Sequence, residues 1–392
     1  MDLDVTAEDR AFRDEVRAWL RENVPRELRP EIGPEARAFD LAWQRRQFDG
    51  GWAGVAWPKE YGGRGLSLLQ QMIWFEEYAR AGGPYIGTCF VGINHAGPTL
   101  IARGSDAQKT FHLPKILRGD VVWCQGFSEP SAGSDLASLK TRAVLDGDEL
   151  VVTGQKIWTS FAQLADYQEL LVRTSSEGRK HHGITWVICD MKSPGIEVRP
   201  IVTMSGGAEF CEVFYENVRI PVANVVGKID DGWSVAMSTL GFERGTGFIP
   251  EQMALAAEVE ELIAEARVRI GPDGRRPAIA DDEIARRLAQ LRAEVAALRA
   301  MTLATVSRAR RQPVPGPEGS LTKIFFSDIR QRIYKLAMEI LGADALVLTG
   351  MADGWTRSYL RSYAATLGGG TSEIQRNIVA ERILGLPKDV TK

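Results

Sequence analysis

Three short stretches carry residue types that could do chemistry. Residues 368–376 read GGGTSEIQR. Glycines followed by Thr-Ser mark a place where backbone comes close to a ligand, such as a phosphate or a flat ring. Residues 125–135 read QGFSEPSAGSD. There Glu129-Pro130 leads into small residues and hydroxyls, whose backbone N–H groups can face a polar ligand edge. Residues 154–160 read GQKIWTS. Trp158 supplies an aromatic face, and Thr159 and Ser160 supply hydrogen bonds beside it. Together these suit a planar heteroaromatic cofactor with carbonyl and ring-nitrogen acceptors. On its own, the 125–135 segment could equally be a turn of a β domain.

The elements that position these stretches follow from hydrophobic period. From Thr6 to about Gly119 the pattern is mostly helical. Thr6 can cap a helix whose apolar positions include Phe12, Val16 and Leu20. WPKEYGGRG (57–65) reads as a loop, and helices resume at 68–80 and around 88–102. From about Val121 to Asn224 short runs rich in Val, Ile and aromatics (149–156, 167–173, 183–190, 195–202 and 210–218) read as strands of a sandwich or barrel. LDGDEL (145–150) holds a hairpin turn. From Asp231 the chain is helical again. Ile284, Leu288, Leu291, Val295 and Leu298 form one seam, and Phe325, Ile329, Ile333, Leu336 and Ile340 form another. The fold class is α+β: an N-terminal helical domain (1–120), a middle β domain (121–230) and a C-terminal helical bundle (231–392).

Composition narrows the partners. The 392 residues carry a formal net charge of −3, with 44% hydrophobic and 25% charged residues. That is a globular profile with no basic field for nucleic acid. Cys89, Cys124, Cys189 and Cys211 have no metal-ligand or disulfide spacing. No apolar run reaches membrane length and no signal peptide is expected, which makes a cytoplasmic protein the default.

EPSAGSD, GQKIWTS and GGTSEIQRNIVAERILGLP (369–387), in this order and spacing, resemble the acyl-CoA dehydrogenase family, as does GSDAQKTFHLPKILRGD (104–120). The resemblance covers nearly the whole chain. It implies a C-terminal four-helix bundle and FAD bound between it and the β domain. Gln125, Gly126, Phe127 and Ser128 then line the isoalloxazine, and Ser134 sits at the flavin–substrate edge. Trp158 packs on the flavin, with Thr159 and Ser160 near its reactive nitrogen. Gly370, Thr371 and Ser372 approach the phosphates and ribityl chain.

The family reaction removes an α-proton from a thioester and passes the β-hydrogen as hydride to the flavin. Many members place the catalytic glutamate where this chain has Gly369. In others, notably the isovaleryl and long-chain enzymes, the base is the Glu of a Glu-Arg pair on an early helix of the C-terminal bundle. STLGFERGTG (238–247) has that pair, so the resemblance implies Glu243 as base and Arg244 as a contact to the CoA-bearing part of the substrate.

Two departures fall on the half-site that homotetrameric members offer to a neighbour's FAD. The Arg-x-x-Phe-Gly segment is missing from RIGPDGRRPAIADDEI (269–284), where Arg275 or Arg276 is a loose replacement. A Gln-Ile-Leu-Gly-Gly segment appears as Glu339-Ile340-Leu341-Gly342-Ala343. A carboxylate there is unfavourable unless it is paired or turned away. The resemblance thus implies an FAD-dependent acyl-CoA dehydrogenase, with acyl-CoA as substrate and an electron-transfer flavoprotein as acceptor. The assembly is a homo-oligomer (dimer or tetramer) or a heteromer with a related subunit. The alternatives are a dehydrogenase of carrier-protein-bound acyl groups, a different flavin chemistry on this fold, and a structural subunit.

Overall fold

The computed structural model describes residues 6–245, 249–309, 316–348 and 353–388; for residues 243–245, 309 and 353 it describes the backbone alone. Helices α1 (Ala7–Asn23), α2 (Pro34–Asp49), α3 (Leu68–Arg80), α4 (Gly97–Arg103) and α5 (Asp106–Arg118) come first. Strands β1 (Trp123–Gly126), β2 (Arg142–Asp146), β3 (Glu149–Ser160), β4 (Tyr167–Arg173), β5 (Ile184–Asp190), β6 (Ile196–Ile201) and β7 (Phe210–Pro221) follow. The chain then returns to helices α6 (Gly232–Gly245), α7 (Ile249–Val268), α8 (Asp282–Ala309), α9 (Gly319–Leu341), α10 (Asp353–Ser362) and α11 (Ser372–Arg382). Among the described residues no helix is long and apolar enough to cross a membrane.

By contact the chain forms two compact units, one of residues 1–24, 68–83 and 244–392, the other of residues 25–67 and 84–243. The first is helical. Thr6 caps α1 as expected: its hydroxyl accepts from the Asp9 N–H at 3.1 Å, and the Asp9 carboxylate accepts from the Thr6 N–H at 3.0 Å. Both seams read from the sequence lie in one core built by α7, α8 and α9, with Phe325 at its margin. Helix α3 packs on α1 and α7. Its Glu76 and Glu77 are buried adjacent carboxylates, held by Arg13, Arg17 and Arg80 and, from α8, by Arg299. Buried charges need such partners.

The second unit is built on one curled seven-stranded sheet, with path β1-β4-β2-β3-β7-β6 and β5 paired to β4. Strands β4 and β5 are buried on both faces. Trp123, Leu171, Trp186 and Ile188 enter one core, and Cys124, Leu170, Val172, Val187 and Cys189 enter the other. The expected hairpin joins β2 to β3, and Asp146 pairs with Glu149. Its two-residue loop is Gly147-Asp148, with Gly147 first at φ +64°.

The segment expected as helical around 88–102 is helical throughout but not uniform: a 3₁₀ turn (Gly87–Cys89) leads into a π-helical turn (Gly92–Ala96) and then α4. Close approach explains two of its glycines. A Cβ on Gly87 would stand 2.1 Å from the Asp40 carboxylate, and one on Gly97 would stand 1.9 Å from the Trp57 ring.

Candidate active site

In the sheet unit the first two motifs are tied together by a buried ion pair. Strand β1 ends at Gly126, Phe127 is buried, and Glu129 turns inward. The Glu129 carboxylate accepts from the N–H groups of Lys140 (2.6 Å) and Thr141 (2.8 Å) and from Lys156 Nζ (2.8 Å). Lys156 is fully buried, and its ammonium also donates to the Phe127 carbonyl at 3.0 Å. One backbone bond, from the Ile157 N–H to the Ser128 carbonyl (2.9 Å), completes the tie. Burial pushes the Glu129 pKa up, but the charge of Lys156 and the hydrogen bonds from Lys156, Thr141 and Lys140 outweigh it and hold the group below its ordinary value. For Lys156 burial wins: its pKa falls to about 8, and Glu129 offsets the loss only in part.

Two residues beyond Lys156 the ladder breaks. Lys156 pairs with Val213 and Thr159 with Cys211, so β3 holds one more residue than β7. This bulge puts Trp158 in the left-handed region at φ +62° and leaves the residue 56% exposed, its ring edge-on to Phe210. A bulky residue held there stores strain of about 1–3 kcal/mol and re-aims its side chain. Thr159 returns to the ladder with its hydroxyl buried and without a partner among the described residues. An unsatisfied buried hydroxyl beside an exposed aromatic ring is what a flat, acceptor-edged ligand would complete. Ser160 is the last residue of the same strand and is half-buried.

Gln125 lies opposite Glu169 in the β1–β4 register. Its amide nitrogen donates to Glu169 Oε1 at 2.7 Å and lies 3.2 Å from His95 Nδ1, on the π-helical turn. With the nitrogen so engaged, the amide oxygen is the acceptor left to a ligand. Ser134 lies exposed on the loop after Glu129. The next residue, Asp135, pairs with Lys180 at 2.8 Å.

The third motif lies in the helical unit. Gly369 and Gly370 have φ +66° and +85°, and Thr371 caps α11 by accepting from the Ile374 N–H at 3.2 Å. Ser372 is buried in the first turn, at the rim of a cavity of about 570 Å³ that is also lined by Phe325, Gln331, Leu367, Glu373 and Arg376. The N-terminus of a helix suits an anion. Glu243 and Arg244 lie in the last turn of α6, and their side chains fall outside the described residues. One turn earlier Thr239 is buried, with its hydroxyl 2.9 Å from that of Thr99.

The two departures are neutralised within the helical unit. Glu339 pairs with Arg287, Arg276 with Asp273 at 2.7 Å, and Arg269 with both Glu265 and Asp344. The carboxylate of Glu339 is therefore paired, as its place in the motif demands. Sequence reasoning missed the partners that hold the motifs: Lys156 for Glu129, Glu169 and His95 for Gln125, and Lys323 and Gln375 for the glycines. Lys156 and Glu129 stand inside the quoted motifs, yet nothing in the sequence pairs residues 27 apart.

Comparison with known proteins bears on this arrangement. Family models for the acyl-CoA dehydrogenase N-terminal, middle and C-terminal domains match residues 6–120, 124–218 and 230–384. The chain is 41% identical over 387 residues to "Acyl-CoA dehydrogenase IpdE1" of Mycobacterium tuberculosis, covering 96% of this chain and 98% of that protein. Among solved structures it is similar to the "Tcur3481-Tcur3483 steroid ACAD" (TM-score 0.86, 34% identity, 99% of this chain and 100% of that one). It is also similar to a chain of the ChsE4-ChsE5 complex from Mycobacterium tuberculosis (TM-score 0.84, 34% identity, 99% and 100%). With its three motifs in place and matches along nearly its whole length, the chain belongs to the acyl-CoA dehydrogenase family and is an oxidoreductase acting on acyl-CoA.

Proposed function

We propose that the protein catalyses FAD-dependent α,β-dehydrogenation of an acyl-CoA thioester to the 2,3-enoyl thioester and passes the electrons to an electron-transfer flavoprotein. The observation that carries this reading is the β3 bulge. It exposes Trp158 at a backbone cost and leaves the Thr159 hydroxyl unsatisfied beside it. That donor set fits a flavin. Gln125–Ser128 and Trp158–Ser160 would hold the ring system, and Gly370–Ser372 the phosphate end. FAD, when bound, supplies the hydride acceptor.

The remaining work falls to the chain's own residues. Glu243 takes the α-proton on its carboxylate, filling the role that Gly369 cannot. Arg244 and Ser134 orient the thioester. The three-part organisation, 1–120, 121–230 and 231–392, belongs to the same reading. The structures described as steroid and heteromeric assemblies put bulky, ring-bearing acyl groups first in any substrate panel.

The test is anaerobic flavin bleaching by a panel of acyl-CoA thioesters, with Glu243→Gln in parallel. Loss of a general base is expected to slow bleaching about 10²–10⁴-fold. Equal bleaching by both proteins would place the base elsewhere. Bleaching only by acyl groups on a carrier protein would favour the carrier-protein alternative.

A second reading, a subunit of a heteromer, rests on the paired arginines. Arg269, Arg276 and Arg287 are each committed to carboxylates of their own chain. With these three charges already offset, the half-site has less to lend to a neighbour's diphosphate. One FAD per two subunits would support it, and full occupancy in a homomeric preparation would sink it.

A further inference from the structure

Helix α9 carries a second stripe beside its apolar seam. Lys323, Ser327 and Gln331 recur every four residues and share one face. Each holds the segment that leads into α11. Gln331 Nε2 reaches the Thr366 hydroxyl at 3.3 Å. Ser327 is fully buried and donates to the Ala365 carbonyl at 2.8 Å. Lys323 is 3% exposed and donates to the Gly370 carbonyl at 2.8 Å. From α11 itself Gln375, 1% exposed, donates to the Gly369 carbonyl at 2.8 Å. Two consecutive carbonyls are thus pinned by two buried side chains.

Peptide geometry turns this pinning into a function. In a trans peptide the carbonyl and the following N–H point in opposite directions, and the described residues contain no cis bond. Holding the Gly369 and Gly370 carbonyls against Gln375 and Lys323 therefore turns the N–H groups of Gly370 and Thr371 the other way. The first-turn N–H of Ser372 continues the row, since helix geometry gives it no partner within α11. Only glycine holds these dihedrals at low cost. A Cβ on Gly370 would also stand 2.6 Å from the Gln375 amide.

We propose that Lys323 and Gln375 are positioning residues that present the N–H groups of Gly370, Thr371 and Ser372 to a phosphate ester. Lys323 adds a buried positive charge behind the row. On the reading above, on which this inference rests, the phosphate ester is the diphosphate of FAD.

The test pairs FAD titration of the apoprotein with hydrogen–deuterium exchange over residues 366–376. Lys323→Met is expected to weaken FAD binding about 10- to 100-fold, the worth of a charged hydrogen bond, and to speed exchange in that peptide. Lys323→Arg should recover part of both. Gln375→Met should move both in the same direction by less, and it serves if Lys323→Met fails to fold. Wild-type affinity together with wild-type exchange in either Met variant would overturn the proposal. If the parent protein takes up no flavin, the cofactor reading fails separately. The exchange rates then still decide whether these two side chains pin the loop, and unchanged rates would reject it.

Discussion

The two compact units hold their motifs by different means. In the sheet unit the motif strands are joined by a fully buried ion pair, and the unusual backbone is forced on a tryptophan. In the helical unit the unusual backbone falls on glycines, and it is held by hydrogen bonds to carbonyls. The first arrangement stores strain and depends on charge. The second is relaxed, since glycines take the unusual dihedrals, and it depends on single hydrogen bonds to carbonyls rather than on an ion pair. A strained, over-determined bulge suits a contact that must aim a ring. A relaxed turn suits a row of N–H groups that must only stay open.

Breaking the ion pair should give the largest effect. Lys156→Met leaves the buried Glu129 carboxylate without its cation and is expected to cost about 3–5 kcal/mol of stability, read by urea unfolding. Adding Glu129→Gln should return much of that stability without restoring flavin affinity. If the single variant unfolds like the parent, the ion pair is not what holds this unit's motifs.

Exchanging the two backbone solutions sharpens the contrast at smaller cost. Trp158→Gly relieves the left-handed strain, so thermal stability should rise by about 1 kcal/mol at most while flavin affinity falls. Gly370→Ala should lower both, because it adds strain and a clash with Gln375. The same sign of stability change in both variants would dissolve the distinction.

The ion pair also leaves a mark on pH dependence. Lys156 titrates near 8 in the fold but at its ordinary 10.5 when unfolded. Between these values the unfolded chain binds more protons, so this group makes stability rise with pH through that window and carries its full burial cost below it. The slope it adds is at most about 1.4 kcal/mol per pH unit. Lys156→Met should lack that slope between pH 8 and 10.5, and equal slopes in parent and variant would remove Lys156 from the account.

Much of the fold was legible in the sequence because period and punctuation agree with tertiary contact. Helix α3 and strand β4 fall on the expected residues, and both helical seams are core. Strands β1 and β2 were not legible. One has four residues, and the other is mostly exposed, with no alternation to read. Sequence order also hides that α1 and α3 share a compact unit with the C-terminal helices. Within the motifs the residue types were legible, and their supports stayed invisible. Lys323, Ser327 and Gln331 read as the polar face of an amphipathic helix, and only the fold turns that face inward.

The carboxylates of α3 set an order on how the chain can be completed as it leaves the ribosome. Glu76 is secured partly by Arg299, 223 residues later. At about 5–20 residues per second, that partner emerges roughly 10–45 s after the glutamate. The sheet unit ends at residue 243. It can therefore close before Arg299 has been synthesised, while the acidic turn of α3 waits for its last counter-charge. Early segments of this protein are among the last to be secured.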